Sequence, residues 1–180
     1  MVAKQTNQSI RMIRQLSGGT ASARNHGIRE AKYDIVAFLD AVDTWEPHYL
    51  ANIVNLAMNY PEEECFATGY QFVSADGCYI DPKNSLAGEG AVKSISSAYF
   101  DICAHGDRPF VASSFSARAS LFSDIGYFSE QEGSGSEQDF FTRLIMSRNV
   151  IHSPDISVFY QLDRNQDASA YVVPNEECQY

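Results

Sequence analysis

The chain has 180 residues, 44% of them hydrophobic and 20% charged, with a formal net charge of −10. That balance fits one folded domain burying roughly 70% of its unfolded surface, and it excludes a disordered chain. The acidic surplus argues against a nucleic-acid or anionic-membrane partner, which needs a basic surface, yet it leaves room for a phosphate held in a local nest.

No run is long enough to span a bilayer, and the first residues lack the apolar core of a signal peptide. Cys65, Cys78, Cys103 and Cys178 form no C-x-x-C pair and read as reduced thiols of a cytoplasmic protein. The histidines show no metal-binding spacing. In chain order, residues 10–16 alternate apolar and polar and predict a short strand. Thr20 or Ser22 is placed to cap a helix reaching about Lys32, with Ala21, Ala23, Ile28 and Ala31 facing inward. Residues 34–40 are a continuous apolar run, as in a strand covered on both faces. Pro47 opens a helix on Tyr49, Leu50, Ile53, Val54, Ala57 and Tyr60, and Pro61 stops it.

Two β-like runs over residues 65–80 flank Ser74-Ala75-Asp76-Gly77, a hairpin signal. Residues 84–93 predict a mobile loop and residues 95–104 a helix. Residues 110–117 alternate like a strand and lead into a short helix ended by Gly126. Residues 136–149 predict an amphipathic helix and 149–162 a last strand, with little order expected beyond about 165. No internal repeat is present.

Chemistry concentrates in three stretches. The first is Ser17-Gly18-Gly19-Thr20-Ala21-Ser22-Ala23-Arg24-Asn25-His26-Gly27-Ile28, followed by Phe38-Leu39-Asp40-Ala41-Val42-Asp43-Thr44-Trp45. A glycine turn into a helix, then an apolar run ending in carboxylates, is the layout in which α/β proteins bind ligands at the carboxyl ends of strands. Gly18 and Gly19 suit a tight turn whose amides could face an anion, although neither G-x-G-x-x-G nor a P-loop is present. On a continuing strand, Asp40 and Val42 would share a face and Asp43 would point away. The second stretch is Ile125-Gly126-Tyr127-Phe128-Ser129-Glu130. The third is Ser136-Glu137-Gln138-Asp139-Phe140-Phe141-Thr142-Arg143-Leu144. In it Ser136 and Asp139 match a capping box, Asp139 pairs at helical spacing with Arg143, and Glu137 is exposed at the helix start.

These stretches, in this order, resemble family-2 nucleotide-sugar glycosyltransferases of the GT-A fold, whose members read "GG-x-SAARN-x-GI … FLDADD-x-W-P", "iGgFdE" and "ED-x-D-x-x-x-RL". The resemblance runs from about residue 10 to about 169. It implies an α/β, Rossmann-like three-layer fold with a mixed sheet in a single domain over residues 1–180. It also implies that the first two βα units are lacking, those whose "P-x-YN" and "DDGS-x-D" turns hold the nucleoside. The implied reaction is transfer of a sugar from a nucleotide diphosphate sugar to a glycan-type acceptor hydroxyl, with inversion and with Mg²⁺ or Mn²⁺.

Residue by residue, the resemblance puts Gly19, Arg24, Asn25 and Asp40 at the donor, and Asp40 and Asp43 at the metal. Val42 stands where the family has an acid, and valine cannot ligate. Glu137 or Asp139 falls at the base position, Glu137 being preferred and Asp139 read as structural. Asp163 stands about where many relatives carry a histidine near the metal. The alternative is a truncated, catalytically silent remnant that acts by binding or oligomerisation, with donor and acceptor binding weak or lost. A nucleotidyltransferase or a lectin is a more distant reading, since neither requires both the Arg24-Asn25 and the Glu137 motifs. Absent βα units would bare a strand edge, so a homo-oligomer, most simply a dimer, is expected. The N-terminal segment would then pair with the strand at 34–40 or cross to another subunit.

Overall fold

The computed structural model describes residues 10–84, 86, 90–131 and 133–162. Among these, seven strands form one mixed sheet in the order β1-β6-β3-β7-β2, with β4 beside β3 and β5 beside β7. The strands are β1 (Ile35–Ala37), β2 (Thr44–Trp45), β3 (Cys65–Val73), β4 (Tyr79–Ile80), β5 (Lys93–Ser94), β6 (Phe115–Arg118) and β7 (Val150–Gln161). The long β3 and β7 run parallel at the centre, and β1 pairs antiparallel with β6 at one edge. The β3–β7 register slips around Gly69, where an added Cβ would lie 2.7 Å from the Pro154 carbonyl oxygen. Glycine there lets the irregular stretch of β7 approach the backbone of β3.

Five helices cover the two faces: α1 (Gly19–Glu30), α2 (Tyr49–Asn59), α3 (Tyr99–His105), α4 (Leu121–Ile125) and α5 (Ser136–Ser147). Alternation along β3 sorts the cores. Cys65 and Ala67 face a cluster shared by α1, α3, α4 and α5, whereas Phe66 joins Tyr49, Ile53 and Leu56 of α2. The larger cluster is built around phenylalanines. Phe140 lies 4.2 Å from Phe128 and 5.7 Å from Phe122, both stacked, and Phe38 meets Phe128 edge-on. Each such ring contributes roughly 1.5–3 kcal/mol on burial, so this cluster is what seats α5 and its first turn against the sheet.

The three-layer α/β architecture with a mixed sheet is as expected, and so are the 65–80 hairpin, α5, β7 and the stop at Gly126, whose φ is +88°. Other expectations need correcting. Residues 10–18 form no strand and are exposed throughout, with Leu16 at 94% and Ile10 at 76%. Among the described residues no strand lies beside them, and an apolar–polar alternation without a partner has nothing to hold it extended. The run at 34–40 yields a three-residue edge strand, with Ile35 and Ala37 only partly buried, rather than one covered on both faces.

Helix α1 begins at Gly19 with no side-chain cap from Thr20 or Ser22, and Ala23 and Ala31 are exposed while Asn25 is buried. In α2, Leu50 and Val54 are about half exposed, because only one stripe of the helix meets the sheet. Residues 112–114 form a 3₁₀ turn, so β6 starts at Phe115. Cys65 and Cys103 are free thiols, but Cys78 is disulfide-bonded, which corrects the reading of all four cysteines as reduced. The stretch beyond 165, Cys178 and Asp163 lie outside the described residues.

His152 on β7 is 1% exposed, and neither ring nitrogen has a hydrogen-bond partner among the described residues. Burial lowers its pKa from 6.5 to about 4; the Pro109 carbonyl, which it does not meet in bonding geometry, opposes this, and Lys93 adds to it. The unfolded chain takes up this proton near pH 6.5 and the folded chain only near pH 4. Stability should therefore fall by up to about 3 kcal/mol as pH drops through that window. Urea midpoints at several pH values should show the slope, and His152→Phe should flatten it. An unchanged slope in the variant would assign it to other groups.

Candidate functional site

Four segments remote in sequence meet just beyond the carboxyl end of β1. Arg24 reaches in from α1 with its side chain 10% exposed. Its Nη2 donates to both Asp40 oxygens, at 2.9 and 3.0 Å, and its Nη1 donates to Glu137 Oε2 at 3.0 Å. The guanidinium also lies 5.4 Å from the Phe128 ring centroid. Arg108, from the loop before the 112–114 turn, donates from Nη1 to Glu137 Oε1 at 3.1 Å. Glu137 stands in the first turn of α5, where the helix dipole favours a negative charge. Each of its carboxylate oxygens is thus held by a different arginine.

The chain does not continue as a strand through position 42. Asp43 N donates to the Asp40 carbonyl at 3.1 Å, closing a turn that leaves Val42 67% exposed and Asp43 8% exposed. Asp43, expected to point away, therefore faces inward. Ser113 Oγ accepts from Asp40 N at 3.1 Å and donates to Asp43 Oδ2 at 2.5 Å, while Gln161 N donates to Asp43 Oδ1 at 3.0 Å. Trp45 Nε1 donates to the Ser113 carbonyl at 2.7 Å and braces the same turn. Burial pushes the Asp43 carboxyl above its ordinary range. The Ser113 and Gln161 bonds oppose this, and the Asp40 and Glu137 charges reinforce it.

The divalent ion that the resemblance implies does not fit this donor set. Mg²⁺ or Mn²⁺ is held by one or two carboxylates, and a guanidinium already paired with such a carboxylate repels the ion. Both Asp40 oxygens are on Arg24, both Asp43 oxygens are on protein donors, and Val42 offers none. Among the described residues, no three His, Cys, Asp or Glu side chains are grouped to hold an ion.

The remaining expected residues divide. Gly19, at φ +79°, starts α1 in a conformation that disfavours any side chain, and it lines a shallow groove with Thr20, Ala23, Asp40 and Val42. Asn25 is turned into the protein. It is 1% exposed, its Nδ2 donates to Phe128 O and Glu130 Oε1, and its Oδ1 accepts from Phe128 N, so its amide is fully used in pinning α1 to the 128–130 segment. Asp139 is paired with Arg143 at 2.7 Å, and Arg143 also donates to the Ile125 and Tyr127 carbonyls. The capping box is absent: α5 is preceded by Gly135 with no side-chain cap, and the buried Ser136 Oγ has no partner among the described residues.

Arg108 and Ser113 were not singled out from sequence. Their only signal is a cation and a hydroxyl beside an apolar run, which many solvated loops share. Ser113→Ala would strand Asp40 N and a buried Asp43 oxygen. Urea unfolding should show a loss of about 1–3 kcal/mol. Asp139→Asn should cost about 1 kcal/mol or less, as a half-exposed helical pair does. Equal losses would mean that the Ser113 bridge is not what holds the turn.

Residues 2–85 match the family model described as Glycosyl transferase family 2. The succinoglycan biosynthesis protein ExoW of Rhizobium meliloti is 37% identical over 67 residues, 36% of this chain and 21% of that protein. An uncharacterized glycosyltransferase of Rickettsia bellii is 32% identical over 89 residues, 48% of this chain and 12% of that protein. Among solved structures, S. aureus TarS in complex with UDP-GlcNAc superposes with a TM-score of 0.61 at 16% identity, covering 92% of this chain and 45% of that one. Another S. aureus TarS structure gives a TM-score of 0.58 at 18% identity, covering 80% and 40%. The fold is a GT-A glycosyltransferase fold in partial form, and this chain spans less than half the length of each of these relatives.

Proposed function

We propose that this chain serves a nucleotide-sugar glycosyltransferase, because residues 2–85 match the Glycosyl transferase family 2 model and the fold is a GT-A fold. The reaction is transfer of a sugar from a nucleotide diphosphate sugar, a UDP-sugar by likeness to TarS, to a glycan-type acceptor hydroxyl with inversion. One observation carries the reading: Arg24 bonds Asp40 and Glu137 at once, joining three residues that the resemblance assigns to donor and base. In such a displacement the acceptor oxygen attacks the anomeric carbon as the nucleotide diphosphate departs from the opposite face. A carboxylate takes the hydroxyl proton, and a positive group steadies the leaving diphosphate. Glu137 is the base in this reading, Gly19, Arg24 and Asp40 line the donor side, and Asp139 is structural.

The test is a transfer assay of the full chain with UDP-, GDP- and dTDP-sugars and glycan acceptors. Glu137→Gln should reduce turnover by roughly 100-fold or more, and it should also lower the urea midpoint, because it takes one carboxylate from the buried Arg24. Turnover surviving in Glu137→Gln but lost in Asp139→Asn would move the base by two residues.

A second reading, a binding or oligomerisation module without turnover, is favoured by one feature. Among the described residues the outer edge of β1 carries no strand, and a groove of about 500 Å³ runs beside it under α1 from Arg24 and Asp40 to Lys32. Open strand edges recruit other chains, so a homodimer belongs to this reading. Light scattering that shows a monomer, together with measurable transfer, would remove it. No helix among the described residues is long and apolar enough to cross a membrane. A cytoplasmic location is part of the first reading.

A further inference from the structure

The carboxylate that the proposed transfer needs as a base is fully engaged, with Oε2 on Arg24 and Oε1 on Arg108. The two arginines are not equivalent. Arg24 is 10% exposed and makes two bonds to Asp40 besides the one to Glu137, so moving it would strand a buried charge. Arg108 is 39% exposed, and among the described residues Glu137 is the only side chain its guanidinium bonds. Its backbone is tethered, because its carbonyl accepts from Tyr70 Oη at 3.0 Å and from Asn84 Nδ2 at 3.2 Å. The side chain can therefore change partner while the loop stays in place.

The site also needs a positive group for a phosphate-bearing ligand, and the donor set at Asp40, Val42 and Asp43 does not fit a divalent ion. We propose that Arg108 is the anion-receiving residue of this site: an entering diphosphate takes Arg108 from Glu137, and the exchange frees Glu137 Oε1. A guanidinium suits this role, since its planar fork binds phosphate oxygens as well as it binds a carboxylate. The inference rests on the transferase reading for the ligand's class. It goes beyond that reading by naming the residue that supplies the charge and by linking ligand arrival to release of the base.

The experiment is calorimetric titration of the full chain with inorganic pyrophosphate, in EDTA and at low salt. Pyrophosphate should bind without added metal. Arg108→Gln should weaken binding by about tenfold, the loss of one charge-assisted hydrogen bond. Arg108→Lys, which keeps the charge and loses the fork, should fall between. Glu137→Gln should tighten binding, because it removes the competitor for Arg108. Arg29→Gln, outside the site over the Tyr127 ring, should change nothing. No binding, binding seen only with Mn²⁺, binding retained in Arg108→Gln, or weakening by Glu137→Gln would each overturn the proposal. Arg108-dependent pyrophosphate binding with no sugar transfer would leave the proposal standing and remove the transferase reading. Transfer that requires Mn²⁺ and ignores Arg108 would do the reverse.

Discussion

A guanidinium that is nine-tenths buried cannot be left unpaired, and Arg24 meets that constraint by bonding two carboxylates from opposite ends of the chain. Losing one partner of a buried pair costs about 3–5 kcal/mol, far more than a surface ion pair returns. The placement of Arg24 therefore ties three elements together: α1, the turn that follows β1, and the first turn of α5. Asn25, the next residue, fastens the neighbouring face of α1 to the 128–130 segment through three hydrogen bonds. Arg143 fastens that segment in turn to α5 through the Ile125 and Tyr127 carbonyls. The site is the place where these ties converge.

The phenylalanine cluster and the polar ties act on the same elements by different means. Stacking of Phe128, Phe140 and Phe122 brings α5 against the sheet but leaves its rotation loosely defined, because apolar burial is non-directional. The Arg24–Glu137 pair and the bonds from Arg143 to the Ile125 and Tyr127 carbonyls set that rotation, since hydrogen bonds demand distance and angle. Ser113 does the same for the turn at 40–43, giving and accepting one bond each, and Trp45 holds Ser113 from behind.

A consequence for chemistry is that the acids here are committed to the protein. Asp40 balances Arg24, Asp43 is held by Ser113 and the Gln161 amide, and Glu137 is shared between two arginines. The resemblance to family-2 glycosyltransferases implies a cation at this position, whereas the donor set observed is one of carboxylates already neutralised by guanidinium and hydroxyl partners.

Local pattern determined much of this protein. The hairpin around Gly77, the amphipathic α5, the apolar β7 and the stop at Gly126 follow from turn chemistry and hydrophobic period, which act over a few residues. The family likeness was legible for the same reason, because Arg24, Asp40 and Glu137 sit in short stretches of characteristic composition. Tertiary structure decided what depended on partners far along the chain. Residues 10–16 had a strand's alternation, and among the described residues no strand lies beside them. Asp43 turned inward only because Ser113, seventy positions on, was there to accept the turn. Arg108 joined the site because its loop is anchored to Tyr70 and Asn84. Periodicity reports which face of an element is apolar, but it carries no information about which distant polar group will meet a buried one, and at this site that pairing is what was decided last.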